Sequence, residues 1–261
     1  HYLTLAQQTS DFTIDDQWAQ GRSVFGGLSA ALILTHIETQ TGLTDKDLRT
    51  LNVHFCAAII ANEDCQLKFE VLSSGKSISQ VQGQLLQGGK VKTQIMACFG
   101  IQRTSSISIP WRPLDEVKPP TEASRMPFIQ GMMPNYMSHM DIRFTSKNLP
   151  FTNSENSTVS GWMRFNDAND IFSDAAILAL VDVWPPAILP MLKKPAPASS
   201  VTWNIEFIQP RCELNPQDFL YYECDVVLAE LGYAHTDGKV YHPNGQLLAL
   251  TRQLVAVYDI K

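Results

Sequence analysis

Residues 175–181 read Ala-Ala-Ile-Leu-Ala-Leu-Val, apolar without a break, and Asp182 follows at once, with Pro185 and Pro186 shortly behind it. The stretch predicts a helix over 170–184, with Ser173 or Asp174 capping its start, because a helix rarely continues into the residue before a proline. A helix that is apolar all round must be wrapped by something else. Asp182 then stands where a carboxylate loses twice, by desolvation and by facing the negative end of the helix dipole, each worth on the order of 1 kcal/mol. Two readings stay open from this stretch alone. Asp182 caps the turn into 184–189, or it is a partly buried carboxylate placed to act as a general base.

A second stretch of the same kind opens at Gly26 and Gly27, runs through 28–37 and is expected to end at Gly42. From 48 to 103 the period changes from helical to alternating. Leu51, Val53 and Phe55 alternate with Asn52 and His54, and extended runs follow at 66–72, 77–87 and 90–101. Gly88-Gly89 between the last two is a hairpin signal. Residues 104–138 carry Pro110, Pro113, Pro119, Pro120, Pro127 and Pro134 with no sustained period, and Met126, Met132, Met133 and Met137 among them. This segment reads as a linker crossing the surface, its methionines filling gaps in the apolar surface below or lining a ligand.

The order then repeats. Strands are expected at 140–145 and 159–165, the helix at 170–184, and further strands at 201–209, 219–228, 233–241 and 246–258. Leu51-Asn-Val-His-Phe55 matches Trp203-Asn-Ile-Glu-Phe207, and Gly88-Gly89 has its counterpart in Asn244-Gly245 before a final strand. The chain is therefore read as an α+β protein made of two helix-then-meander copies, 1–103 and 139–261, joined by 104–138, their sheets meeting edge to edge.

Composition narrows the function classes. An apolar share of 44% with 18% charged residues is that of a globular protein. The net charge of −6, with no basic cluster beyond Lys193-Lys194, argues against nucleic acid as a partner. No apolar run approaches the roughly 20 residues a membrane span needs, and no charged-then-apolar leader opens the chain. Five cysteines, Cys56, Cys65, Cys98, Cys212 and Cys224, follow no paired spacing. Reduced thiols and a cytoplasmic setting are the expectation. The six histidines have no metal-ligand spacing and no phosphate loop is present, so neither metal nor cofactor is expected. Gly27-Leu-Ser-Ala-Ala31 imitates a serine-hydrolase elbow but lacks the strands that must precede one.

Taken together, Trp18-Ala-Gln-Gly-Arg-Ser-Val-Phe-Gly-Gly27, Asp182-Val-Trp-Pro-Pro186, Ser199-Ser-Val-Thr-Trp-Asn-Ile-Glu-Phe207 and Asn244-Gly-Gln-Leu-Leu-Ala-Leu-Thr-Arg-Gln253 resemble, in order and spacing, the double-hotdog acyl-CoA thioesterases of the thioesterase II type. The resemblance covers nearly the whole chain. It implies two tandem hotdog folds, each a long helix wrapped by a curved antiparallel sheet, and hydrolysis of acyl-CoA to fatty acid and CoA, a step of lipid metabolism. It also implies that Asp182, Ser200 and Gln253 hold the attacking water, where the family more often has Thr at the second place. Gly26 and Gly27, with free N–H groups at a helix N-terminus, are candidates to stabilise the thioester oxyanion. Close helix–sheet packing is the competing use of the two glycines. The family often carries a Gln soon after them, where this chain has Leu28 and Ser29.

Residue chemistry agrees with these roles, since Ser and Gln are neutral groups that hold water without competing for its proton. A hydrogen-bonded interior amide is the plainer use of Gln253, and a loop hydroxyl that of Ser200. Arg143, Lys147, Lys193, Lys194 and Arg211 are the cations available to CoA phosphates. The resemblance further implies a homo-oligomer. The alternatives are a double-hotdog protein that binds acyl chains without hydrolysing them and, less favoured, a hotdog dehydratase or hydratase using His54.

Overall fold

The structure, a computed structural model, describes residues 1–167 and 172–259. Asp170 and Ile171, read as the start of the second helix, and the last two positions of the C-terminal segment lie outside the described residues. The described chain forms two compact units. The first takes His1–Pro110, Phe128–Ser138 and Phe172–Asp182; the second takes Trp111–Pro127 and the remaining described residues.

The first unit opens with α1 (Tyr2–Gln8), β1 (Asp11–Thr13) and a short ribbon of β2 (Ala19–Gln20) with β3 (Ser23–Val24). It continues with α2 (Gly26–Thr41), β4 (Asp47–Phe55), β5 (Asp64–Ser74), β6 (Ile78–Gln87) and β7 (Lys90–Gly100). Its strands lie antiparallel in the order β1-β5-β6-β7-β4. Helix α2 lies against β5, β6 and β7, and Leu28 to Ile37 are all buried. It stops where the sequence signal put it, at Gly42, whose φ of 62° is the left-handed value that only glycine adopts without strain. Its depth depends on Gly83 in β6: a Cβ there would overlap the side chains of Ile33 and Ile37. The Gly88-Gly89 turn has φ values of 54° and 72°, matching the tight hairpin expected between β6 and β7.

Helix α3 (Asp174–Val181) packs on α2 within this unit. Ser173 caps it, its Oγ accepting from the Ala176 N–H at 3.2 Å, and residues 175–181 are buried throughout. The helix ends at Val181, short of the expected 184, because Asp182 leaves the helical path as its C-cap, at φ −77° and ψ −1°.

The second unit contains β8 (Ser124–Arg125), β9 (Met140–Phe144), β10 (Val159–Phe165), β11 (Ala198–Phe207), β12 (Leu220–Glu230), β13 (Tyr233–Tyr241) and β14 (Leu247–Val257). Their order is β11-β14-β13-β12-β10-β9-β8, all antiparallel. Trp162, Tyr221, Tyr241 and Leu247 form one of its cores, covered by Leu114, Val117 and Phe219. The proline-rich segment read as a linker thus has packed parts: the Trp162 Nε1–H donates to Lys118 O at 2.7 Å, and Asn135 Nδ2 donates to Asp16 O at 2.9 Å in the first unit.

The internal repeat extends to the irregularities. In the first unit the pairing skips one residue at Arg49 in β4, at Leu72 in β5 and at Lys92 in β7. In the second unit it skips one at Val201 in β11, Val227 in β12 and Leu248 in β14. Each bulge occupies the same place in its meander, so the same bends shape both sheets. Among the described residues, no helix is long and apolar enough to cross a membrane.

Candidate active site

Asp182 is half-buried at the end of α3, and the first turn of α2 lies directly against it. A Cβ built on Gly26 would stand 3.1 Å from Asp182 Oδ2 and 2.8 Å from Phe55 Cε1. One built on Gly27 would stand 2.8 Å from Asp182 Cβ and 2.9 Å from Ala179 O. Only residues without a side chain let the two helices approach this closely, so the packing use of the glycines is realised. The approach also has an electrostatic consequence. Phe25, the N-cap of α2, supplies no side-chain cap, and the N–H groups of the opening turn have no partner further back in the helix. The positive end of the α2 dipole therefore faces the Asp182 carboxylate, which offsets the unfavourable end of α3 on which Asp182 sits.

Ser29, which this chain has close behind the glycines, is fully buried. Its Oγ donates to Gly26 O at 2.8 Å and lies 3.0 Å from the Thr93 hydroxyl. That hydroxyl is engaged within the helix turn and the sheet below it, which disposes of the hydrolase-elbow reading. His54 is exposed on β4, a polar-face residue.

One buried side chain, packed on the residue before Gly26, was missed in the sequence. Tyr136 comes from the 3-10 turn Asn135–His139, inside the segment read as a linker, and is 4% exposed. Its ring stacks on Phe25 with centroids 4.1 Å apart and planes 5° from parallel. Burial, and after it the charge of Asp182, push its phenol far above the ordinary tyrosine range, so it keeps its proton at any physiological pH. The available signal was weak: an aromatic beside Met137, in a stretch otherwise rich in proline and methionine.

Ser200 and Gln253 come together in the second unit. Trp203 on β11 pairs with Gln253 on β14, and the bulge at Val201 shifts Ser200 toward that amide. The Ser200 hydroxyl donates to Gln253 Oε1 at 3.0 Å. Without the bulge the alternation of the strand would aim Ser200 elsewhere. Nearby, Trp203 Nε1–H donates to Thr251 Oγ1 at 2.6 Å, fixing the strand pair two residue pairs further along.

Of the cations considered for CoA phosphates, Arg143 is held by Asp141 through two hydrogen bonds and donates to Pro120 O, whereas Lys147, Lys193 and Lys194 are exposed. Arg211 lies 5.5 Å from the centre of the Phe207 ring. Among the described residues, no cluster of His, Cys, Asp and Glu could hold a metal ion.

Known proteins share the fold that carries these residues. A hot dog-fold protein of Alicyclobacillus acidocaldarius is 24% identical at a TM-score of 0.85, over 100% of this chain and 99% of that one. An acyl-CoA thioesterase II of Mycobacterium marinum is 20% identical at 0.73, over 92% and 91%. The TesB protein of Mycobacterium avium subsp. paratuberculosis is 13% identical at 0.76, over 98% of each chain. At these identities the likeness establishes the fold, and the α+β double hotdog expected from the sequence is borne out. No curated protein sequence matches. The model of the acyl-CoA thioesterase N-terminal domain matches residues 14–100 and that of the C-terminal domain residues 115–257. The chain belongs to the acyl-CoA thioesterase family.

Proposed function

We propose that this chain hydrolyses the thioester of acyl-CoA, giving a fatty acid and free CoA, with Asp182 as the general base. The observation that carries the assignment is the Asp182 carboxylate lying against the uncapped first turn of α2, at Gly26 and Gly27. A carboxylate beside backbone donors has the two parts that thioester hydrolysis needs, a proton acceptor and a stabiliser of developing negative charge. Asp182 takes a proton from water as its oxygen bonds to the carbonyl carbon. The N–H groups at Gly26 and Gly27 receive the oxyanion. Collapse of the tetrahedral intermediate breaks the carbon–sulfur bond, and the thiolate leaves with the proton Asp182 has held. Ser200 and Gln253 are assigned to orienting water, supported by the hydrogen bond that joins them at the β11 bulge.

The test is thiol release from a panel of acyl-CoAs, followed with a thiol-reactive chromogen, for the wild type and Asp182→Asn. Release by the wild type that the variant loses supports the assignment. Equal release from both removes Asp182 from catalysis and leaves acyl binding without hydrolysis. Hydration of an enoyl-CoA without thiol release would make the protein a hydratase.

A further inference from the structure

Glycine has the freest backbone of any residue, and two of them in the first turn of α2 have no side-chain cap ahead of them. A donor built on such a turn has to be aimed by something else. One hydroxyl reaches the turn from inside the unit: Ser29 Oγ donates to Gly26 O at 2.8 Å and lies 3.0 Å from Thr93 Oγ1. Both side chains are buried. Thr93 stands on β7 between Phe55 of β4 and Leu85 of β6, and Ile95 and Ala97 follow it on the same buried face. A hydroxyl in that apolar row is costly unless it is hydrogen-bonded. The proton inventory fixes the direction of the chain of bonds. A carbonyl cannot donate, so the single Ser29 proton goes to Gly26 O, and Thr93 donates to Ser29 Oγ.

We propose that Ser29, held in turn by Thr93, is a positioning residue that aims the Gly27 N–H at the thioester oxyanion. The C=O of Gly26 and the N–H of Gly27 belong to one rigid trans peptide plane, in which they point in opposite directions. Fixing the oxygen from within the helix therefore fixes the direction of the N–H at its open end. Helical hydrogen bonding alone leaves play there, because the first turn frays and its N–H groups have no partner within the helix. Through Thr93 the donor is registered on β7 as well as on the helix. The same point of the sheet carries Phe55, directly across from Thr93, and Phe55 Cε1 is the atom nearest a Cβ built on Gly26. Sheet and turn are thus locked together where the oxyanion donor sits.

The inference rests on the thioesterase reading, and its test separates the two. Deleting an oxyanion donor outright costs about 100- to 1,000-fold in kcat, and misaiming one costs a part of that. Ser29→Ala should lower kcat by about tenfold with KM within about twofold, since the oxyanion exists only in the transition state. Thr93→Val should lower kcat by about threefold, and Thr93→Ser, which keeps the hydroxyl, should stay within about twofold of the wild type. Stability and turnover then part company. Ser29→Ala strands the Thr93 hydroxyl and should melt a few degrees early, whereas the double variant Ser29→Ala, Thr93→Val removes both partners and should regain most of that Tm. Its kcat should remain at the Ser29→Ala level, because Thr93 acts only through Ser29. A readout without turnover is the residual dipolar coupling of the Gly27 N–H, which reports the direction of that bond; Ser29→Ala should change it and leave the couplings of residues 31–37 in place. A kcat that recovers along with Tm in the double variant, or an unchanged Gly27 coupling in Ser29→Ala, would mean the pair serves stability alone and overturns the proposal. Thr93→Ser as impaired as Thr93→Val overturns the part given to the Thr93 hydroxyl. If the wild type releases no thiol, the thioesterase reading fails, and the Gly27 coupling still decides whether Ser29 sets that peptide plane.

Discussion

Replacing Gly27 by alanine adds one carbon where three groups already stand. That carbon would lie 2.6 Å from Phe25 Cζ, 2.8 Å from Asp182 Cβ and 2.9 Å from Ala179 O, against an ordinary carbon–carbon separation of about 3.5–4.0 Å. The Phe25 ring is held by its stack on Tyr136, and the Ala179 oxygen belongs to the α3 backbone. Neither can simply swing away. The two helices must part by roughly 0.6–1 Å, an overpacking that costs about 1–3 kcal/mol. Alanine returns up to about 1 kcal/mol through its better helix propensity. A net loss of about 1–2 kcal/mol lowers Tm by about 3–6 °C in a chain of this size. The same displacement moves Asp182 relative to the α2 N–H groups, and a misplacement near 1 Å costs on the order of 100-fold in rate. Gly27→Ala should therefore lose about 10- to 100-fold in kcat/KM for thiol release, while melting only a few degrees early. Gly75→Ala is the control, since its new Cβ meets nothing nearer than 3.4 Å, at Ile78 O. A Gly27→Ala protein that melts at or above the wild type and turns over at the wild-type rate would falsify the claim that glycine sets this spacing.

Three further expectations come from other parts of the structure. Burial raises the Asp141 pKa, but the Arg143 hydrogen bonds and the charges of Arg143, Arg125 and Arg164 outweigh it and hold the carboxyl below its usual range. Its stabilisation is therefore complete above the unfolded pKa of about 4 and is lost as pH falls through the lower folded value. Asp141→Asn should cost about 2–3 kcal/mol at pH 7 in chemical denaturation, the low end for a buried pair because its arginines are partly solvated, and should flatten the acid limb of stability; an unchanged midpoint at pH 7 would count against it. Ser200→Ala and Gln253→Ala should each lower kcat, with the double variant losing much less than the product of the two, as expected of groups joined by one hydrogen bond; fully multiplicative losses would separate their roles. Leu231 stands at φ 53° in the β12–β13 turn and is 92% exposed, so Leu231→Asn should relieve about 1 kcal/mol and raise Tm by a few degrees; a fall in Tm would show the leucine has a packing role.

The elements were legible because period and punctuation agree along the chain. Alternation marked β4 to β7 and β10 to β14, Gly42 ended α2, and the Gly88-Gly89 pair turned the hairpin. Asp182 stood out because a carboxylate after seven apolar residues has a visible cost. Neighbours made by distant segments left no such trace. Nothing in the pattern says that Gly26 will touch Asp182, because that contact is set by how closely two helices approach. The bulge that turns Ser200 onto Gln253 is one residue of misregister, invisible to a period-two signal. Tyr136 lies among prolines, where no repeating face points to a core, and its burial depends on Phe25 more than a hundred residues earlier.

The helix that carries Asp182 has a consequence for synthesis. The first unit is assembled from three separated stretches, the last ending at Asp182. After Pro110 has left the ribosome, 72 further residues must emerge before that stretch is complete. At about 5–20 residues per second the interval is roughly 4–14 s. Throughout it the side of α2 that receives α3 stays open to water, or to whatever binds exposed apolar surface in the cell. A nascent chain halted between 110 and 172 should therefore be retained by holdase chaperones and released once residue 182 emerges.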